Sequence, residues 1–320
     1  MLTTNQHKIG IILPVYNTEH FLPNCLDSIL SQTYKNFVIY AIDDASTDNS
    51  LEILERYKKN DSRLKIIKKE KNEGPSAARN TGLLEIEQNE TFDYVTFCDS
   101  DDALSPRFLE ELLYALLKEG ADIASCCFKR THCNLKSSDN FINYCSYTAE
   151  SFIEQIFSLG KWRNVRGSGG YVWLRLFDAR KIKGVRFCED KRLIEDELFC
   201  LEVATKISKI TYIPKQLYLY RYRENSLCQR KDFYNKLVLS RLKGFSFAKE
   251  ISYYSEIVAA CAIVEYSQNL PRPINIGATK IIKQLAKKGV SRKILSLKPY
   301  LYFYFSFYLP SKFHISKISK

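Results

Sequence analysis

Up to Cys126 the chain alternates short apolar runs with segments of helical spacing, and several of the runs end in acidic or small polar turns. Ile9-Gly10-Ile11-Ile12-Leu13 is continuously apolar and reads as a buried strand stopped by Pro14. Glu19 to Ser31 puts Phe21, Leu22, Leu26, Ile29 and Leu30 on one side, which predicts a helix. Phe37 to Ile42 is a second strand ending in Asp43-Asp44-Ala45-Ser46-Thr47-Asp48. There Ser46, Thr47 or Asp48 can cap a helix that runs to about Lys59. Leu64 to Ile67 is a third strand, and Ser76 to Glu87 a helix after the turn Asn72-Glu73-Gly74-Pro75. Tyr94 to Phe97, a helix from Pro106 to Lys118, and a strand from Asp122 to Cys126 complete the series. This β-α alternation predicts an α/β fold with a mainly parallel central sheet flanked by helices. Farther on, Gln216 to Tyr222 reads as a strand, and from Asp232 the spacing is helical, including Ile251 to Tyr266 and Ala278 to Lys288.

Composition narrows the classes. A chain of 320 residues can bury a full core, and 45% hydrophobic with 26% charged residues is an ordinary globular balance. The ten cysteines include the pair Cys126-Cys127 but no zinc-like spacing. Met1 to Lys8 lacks an apolar signal core, and no run reaches the length of a membrane span. These features predict a cytoplasmic chain with reduced thiols. Of the net charge of +12, eleven come from Pro271 to Lys320, which holds eleven Lys or Arg and no Asp or Glu. The first 270 residues are left at about +1, which argues against a broad nucleic-acid groove across the fold.

The turn Cys98-Asp99-Ser100-Asp101-Asp102 follows the fourth strand. Three carboxylates thus crowd at a strand's C-terminal end, where open α/β sheets bind ligands. Their repulsion is relieved by a divalent cation with oxygen ligands, or the turn simply caps the next helix. Asp43 and Asp44 end another strand, so both clusters are expected on one rim of the sheet. No Gly-x-Gly-x-x-Gly follows the first strand and no P-loop occurs, so a bound diphosphate would need a metal rather than a glycine cradle.

Four segments occur together in a recognisable order: Ile11-Ile12-Leu13-Pro14-Val15-Tyr16-Asn17, Asp43 to Asp48, Asn72-Glu73-Gly74-Pro75-Ser76-Ala77-Ala78-Arg79-Asn80, and Asp99-Ser100-Asp101-Asp102. In residues and intervals they resemble the family 2 glycosyltransferases. The resemblance continues through Val172-Trp173-Leu174-Arg175-Leu176-Phe177 and Arg186-Phe187 to Ile194-Glu195-Asp196-Glu197-Leu198-Phe199. Ala45, where glycine is commoner, and Leu174-Arg175, where Asn-Lys often stands, are departures. The resemblance implies a Rossmann-like GT-A domain over 1–228, with a nucleotide-sugar-binding part over 1–128 and an acceptor-side part over 129–228. A helical, basic region would occupy 229–320. It further implies inverting transfer from a nucleoside-diphosphate sugar, with UDP the expected nucleotide, to a saccharide or lipid-linked saccharide, as in surface polysaccharide synthesis.

Under that resemblance the donor would be held by Pro14, Tyr16, Asp44, Arg79, Asp99 and Ser100. Asp44, an acceptor when ionised, suits a uracil N–H, while Asp43 would face a backbone donor. Asp101, with Asp99 on ribose or metal-bound water, would hold Mn²⁺ or Mg²⁺, and Asp102 would orient those ligands. The fork of Arg79 suits a phosphate or a carboxylate of the rim. Inversion needs one base, and none of His7, His20, His132 and His314 lies in a matched segment. Asp196, with Glu195 beside it, is the expected base, against the alternative of an acidic helix start. Trp173 is a candidate for stacking on a sugar ring, and Arg221, Arg223 and Ser226 form a basic loop that could close over the diphosphate.

Two rival readings are a nucleic-acid binder using the basic tail and an inactive GT-A scaffold. The carboxylate motifs weigh against the first, and the intact Asp99, Asp101 and Asp196 against the second. The tail itself combines eleven basic residues, the amphipathic segment Ala278 to Lys288 and the aromatic run Tyr300 to Leu309. That run is far below the ~20 residues of a span and suits the plane of a membrane interface. It predicts peripheral contact with an anionic membrane surface, the alternative being that Tyr300 to Leu309 packs on the catalytic domain. The full chain is expected to sediment with anionic vesicles at low salt, and a chain ending near Leu270 is not. Full-length protein that ignores such vesicles would remove the tail from the membrane.

Overall fold

The computed structural model describes residues 6–89, 91–131, 145–157, 169–190 and 194–222, with residues 240 and 247. The expectations for Arg223, Ser226, the helices beyond Asp232 and the tail from Pro271 lie outside the described residues. Among the described residues no helix is long and apolar enough to cross a membrane.

Three βα units come first: β1 (Ile9–Val15) with α1 (Leu22–Leu30), β2 (Phe37–Asp43) with α2 (Ser50–Asn60), and β3 (Leu64–Lys68) with α3 (Pro75–Asn89). β1 pairs in parallel with both β2 and β4 (Tyr94–Phe97), and β2 with β3. Such strands are covered on both faces, which is why β1, β2 and β4 read as almost unbroken apolar runs. β1 runs past Pro14, which pairs with Ile42, so the expected stop at proline is corrected. The β1 carbonyl of Ile12 accepts from Cys98, while that of Val15 accepts from Asp44. Alternation therefore turns Pro14 toward the β4 side, beyond the last pair Ile12–Phe97, where no N–H is needed. α1 starts at Leu22 rather than Glu19. Pro23 must sit in a first turn, and the amides of Thr18 and Glu19 donate instead to Ser50 Oγ and Asp48 Oδ2.

The second half of the sheet is less regular. The two-residue strand β5 (Ala103–Leu104) precedes α4 (Phe108–Glu119), which Gly120 closes in a left-handed conformation. Then come β6 (Ile123–Thr131), β7 (Cys145–Thr148), α5 (Ala149–Ile156) and a 3-10 turn Val172–Leu174. β8 (Arg175–Asp178), α6 (Ala179–Ile182), α7 (Glu195–Ala204) and β9 (Lys209–Arg221) follow. Among the described residues the sheet has nine strands in the order β3-β2-β1-β4-β8-β6-β9-β5, with β7 on β9. β8 enters antiparallel between β4 and β6, so the sheet is mixed, its parallel part being the run β3-β2-β1-β4 together with β6–β9. β9 starts seven residues before the expected Gln216, and Pro214 falls in the irregularity where Cys126 pairs with Ile213 and Cys127 with Gln216.

Two apolar layers cover the sheet. On one side Leu22, Cys25, Leu26 and Ile29 of α1 and Phe108, Leu109, Leu112, Leu113 and Leu116 of α4 pack with Ile11, Leu13 and Ile39. On the other, Ala78, Leu83 and Ile86 of α3 and Phe199, Leu201 and Val203 of α7 pack with Ile12, Phe97 and Phe177. Each such large side chain, fully buried, contributes roughly 1.5–3 kcal/mol.

The loops after β1 and β2 interlock. Asn17 Oδ1 accepts from the Thr47 amide at 2.8 Å, Ser46 Oγ from the Asn17 amide at 3.2 Å, and Glu19 Oε2 from the Asn49 amide at 2.9 Å. Asn17 and Ala45 both have positive φ, 50° and 59°. Asparagine tolerates this region, whereas an alanine β-carbon there costs about 1–2 kcal/mol, the physical reason glycine suits position 45. Ala45→Gly is expected to raise stability by about 1 kcal/mol after the extra entropy of the unfolded glycine is offset. A urea midpoint that stays put or falls would contradict that backbone strain.

Candidate active site

The rim is built from the C-terminal ends of β1, β2 and β4, and a buried arginine ties it together. Asp44 is buried at the end of β2, and its carboxylate accepts from the amides of Gly74 (2.7 Å) and Glu73 (3.2 Å). Lys69 Nζ completes its surroundings at 2.9 Å. Asp44 thereby fixes the turn that starts α3. In the next helical turn, Arg79 is buried, with its Nη2 2.8 Å from Asp99 Oδ1 and its Nη1 3.1 Å from Glu195 Oε1. Asp196 Oδ1 is also 3.1 Å from Nη1, at ion-pair distance but out of hydrogen-bond alignment. The neighbouring Asn80 exchanges hydrogen bonds with the Phe187 backbone, giving 3.0 Å to its carbonyl and accepting 2.7 Å from its amide. Phe187 in turn stacks on Phe199 of α7 at 4.2 Å. The Arg79-Asn80 pair thus joins the turn after β4 to the first turn of α7.

Of the two readings of Arg79, phosphate or rim carboxylate, the geometry supplies the carboxylate. The strong local negative potential raises its pKa against the opposing effect of burial. Asp196, at the start of α7, is half-buried, with its side chain 14% exposed and its Oδ1 shielded, and desolvation pushes its carboxyl up to about 7. Arg79 and a hydrogen bond from the Val172 backbone pull the value down, while Glu195 and Asp99 push it up. A carboxyl poised there can take or give a proton near neutrality.

The turn after β4 is sorted by its partners. Asp102 is buried, accepting 2.8 Å from the Tyr218 hydroxyl and 2.7 Å from the Arg221 amide. Burial, then the charges of Asp101 and Asp99, hold its pKa well above the usual carboxylate range. The Tyr218 hydroxyl also accepts from the Asp99 amide, so one buried ring fixes both ends of the turn. Ser100 Oγ accepts from Thr18 Oγ1 at 3.1 Å, joining the turn to the loop after β1. Asp99 and Asp101 keep partly exposed carboxylates. Hard oxygen donors of this number fit Mg²⁺ or Mn²⁺, which take one or two carboxylates and complete the shell with phosphate oxygens and water. Among the described residues no three His, Cys, Asp or Glu side chains are arranged to hold a metal by themselves.

The remaining predicted residues are close to this rim or built into its walls. Tyr16 is 45% exposed and Pro14 half-buried at the end of β1. Asp43 is buried; its Oδ1 accepts from the Ser46 amide at 3.4 Å, and its Oδ2 has no hydrogen-bond partner. Between the two neighbours it is Asp43, not Asp44, that keeps an oxygen unmatched by the protein. Trp173 is buried among Tyr171, Tyr218 and Tyr220, with centroids 4.9, 4.3 and 5.6 Å away, so Tyr171 is the exposed ring of that group. The Arg221 guanidinium donates to the Asp101 carbonyl at 2.9 Å. Sequence reasoning missed the anchoring roles of Lys69 and Tyr218. Neither carries a signal in the sequence: Lys69 stands in the loop between β3 and α3, and Tyr218 in an apolar strand.

Comparison with known proteins gives a consistent result. Residues 10–180 match the family model described as glycosyl transferase family 2. GlyA of Streptococcus pneumoniae, a glycosyltransferase, is 36% identical over 228 residues, 69% of this chain but 31% of GlyA. The chain therefore spans about a third of that relative's length. GlyG of the same organism, also a glycosyltransferase, is 28% identical over 284 residues, 86% of this chain and 88% of GlyG. Among solved structures, S. aureus TarS (residues 1–349) in complex with UDP-GlcNAc shares the fold with a TM-score of 0.65 at 19% identity, covering 91% of this chain and 83% of its own.

If Arg79 is the cation that permits this concentration of carboxylates, removing it strands them. Arg79→Met is expected to lower stability by about 3 kcal/mol at pH 8. Asp196 is raised in the fold, so its charge opposes folding above the unfolded value and that penalty fades as pH falls through about 7. The deficit should accordingly shrink at pH 6. Urea midpoints equal to wild type at pH 8 would show that the three ion pairs carry no weight.

Proposed function

The chain belongs to glycosyl transferase family 2, and from that premise we propose that it is an inverting, metal-dependent enzyme acting on a nucleoside-diphosphate sugar. The observation that carries the reading is the half-buried Asp196 carboxyl, held near neutrality and joined through Arg79 to Asp99 after β4. UDP is the nucleotide we assign. The TarS complexes with UDP-GlcNAc and UDP support it at the level of shared fold. The acceptor class we assign is a saccharide or lipid-linked saccharide, with the basic tail holding the chain against an anionic membrane face.

In this reading the base sits over the rim that ends β1 and β2, against Pro14, Tyr16 and the unmatched oxygen of Asp43. The sugar diphosphate lies along the turn Asp99–Asp102. Asp101 and Asp99 would hold Mn²⁺ or Mg²⁺, which when bound neutralises charge developing on the departing diphosphate. Asp102 cannot join them without giving up Tyr218 and Arg221, so it orients the turn. Asp196 accepts the proton of the acceptor hydroxyl as that oxygen bonds to the anomeric carbon. The bond from that carbon to the diphosphate oxygen breaks with its electron pair, so the configuration inverts and a nucleoside diphosphate is released.

Nucleotide release from a panel of sugar nucleotides with Mn²⁺ tests the activity. Asp101→Ala is expected to abolish release and weaken binding of the nucleoside diphosphate in Mn²⁺; unaltered turnover in EDTA would sink the metal assignment. Asp196→Asn is expected to lose roughly 10²–10⁴-fold in rate while keeping donor affinity. Because the base works deprotonated, wild-type kcat/KM should rise with pH to a plateau with a midpoint near 7. That limb should be missing from the residual rate of Asp196→Asn, and near-normal turnover by this variant would rule out the role.

A further inference from the structure

A fully buried arginine outside the rim remains unused by this chemistry. Arg175 opens β8 with no solvent exposure, and burial lowers its pKa from the ordinary arginine value. Such a charge is costly unless it is engaged by good hydrogen-bond acceptors. Its partners are backbone carbonyls of one short segment: Nη2 donates to Gly169 at 2.6 Å and Nη1 donates to Tyr171. The guanidinium lies 5.1 Å from the centre of the Phe152 ring, and its Nε has no hydrogen-bond partner. The backbone carbonyl of Arg175 accepts from Thr96 Oγ1 at 2.8 Å, so the residue is anchored to β4 from behind.

The segment it grips runs directly to Asp196. The Gly169 amide donates to the Gln155 carbonyl at 2.7 Å, and the Gly170 carbonyl accepts from Cys200 Sγ of α7 at 3.4 Å. Gly170 lies so close to the first turn of α7 that a β-carbon there would fall 2.5 Å from the Glu197 Cα. Two residues on, the Val172 backbone hydrogen-bonds Asp196. Residues 169–172 thus form a strap, held by Arg175 on one side and pressed against the helix that carries Asp196 on the other.

We propose that Arg175 is a positioning residue for Asp196, acting through the 169–172 strap; this rests on the reading of Asp196 as the base. A lysine, with one point of charge, cannot donate in a fixed fork to two carbonyls at once. The groups that face Asp196 are Arg79 from α3, Asp99 from the turn after β4, Glu195 on its own helix and Arg175 from β8. Loss of Arg175 removes a cation and loosens the Val172 hydrogen bond. Both changes disfavour the charged carboxylate, so the acid limb of the rate moves to higher pH.

The experiment compares Arg175→Lys, Arg175→Met and Gly170→Ala with Asp196→Asn in the full chain, by nucleotide release and donor binding. Arg175→Met is expected to lower kcat about 10²-fold, as a displaced base does, with donor KM unchanged. Its acid limb should lie above the wild-type midpoint, and Arg175→Lys should recover part of the rate. Gly170→Ala, which pushes on the strap without touching any charge, should reproduce the loss in kcat. If Arg175→Met does not fold, Arg175→Lys and Gly170→Ala decide the matter by the same two readouts. Wild-type kcat and midpoint in these variants, with Asp196→Asn inactive, would overturn the positioning role and leave the base intact. An active Asp196→Asn would overturn the base reading itself.

Discussion

One guanidinium answers for three carboxylates. Arg79 is buried, and Asp99, Glu195 and Asp196 all approach it within 3.1 Å, so the cluster carries more negative charge than its cation can balance. A low-dielectric setting makes that excess expensive, and it is relieved by a proton or by another cation. The least solvated carboxyl, Asp196, takes the first route, which is why burial leads the causes that raise it. Asp99 and Asp101, more open to water, suit the second. In the proposed reading, proton affinity on the helix side and cation affinity on the strand side are thus two outcomes of one charge imbalance.

The imbalance persists because groups outside the cluster hold it in place. Asp44 fixes the turn ahead of α3 through two amides and Lys69, and Asn80 fixes the far side through the Phe187 backbone. Tyr218 and the Arg221 amide saturate Asp102, while Ser100 is held by Thr18. None of these contacts needs to touch a substrate. They spend backbone amides and hydroxyls on keeping carboxylates from drifting toward water, where their mutual repulsion would be lost along with their use.

Much of this architecture can be read from the chain, and the exceptions have physical causes. β1, β2 and β4 were legible because strands buried on both faces write themselves as apolar runs, and β4 matches its expected bounds at both ends. The acidic rim was legible because strand ends and their turns are contiguous in sequence. β5, with two residues, and β8, with four, are too short to show a period, and β8 opens with a buried arginine that argues against a strand on composition. Asp44 and Asp43 are adjacent carboxylates that sequence cannot tell apart; which one is consumed by the protein depends on where the Glu73-Gly74 amides come to rest. The rim carboxylate Asp99 was a legible partner for Arg79, whereas Glu195, 116 residues away, was not.

The position of β8 bears on how the molecule comes into being. It lies between β4 and β6, although more than forty residues follow β6 before β8 starts, and β9 then closes over β5 and β6. A ribosome delivers β4 and β6 long before the strand that belongs between them. Until residue 178 emerges, those two strands present unsatisfied edges to solvent or to a chaperone, and until residue 218 the turn after β4 lacks the tyrosine that fixes it. Long-range closures of this kind are slow and expose strand edges meanwhile. The segment before α3 can organise as it is made, but the acidic turn acquires its final shape only when nearly all of the sheet has been synthesised.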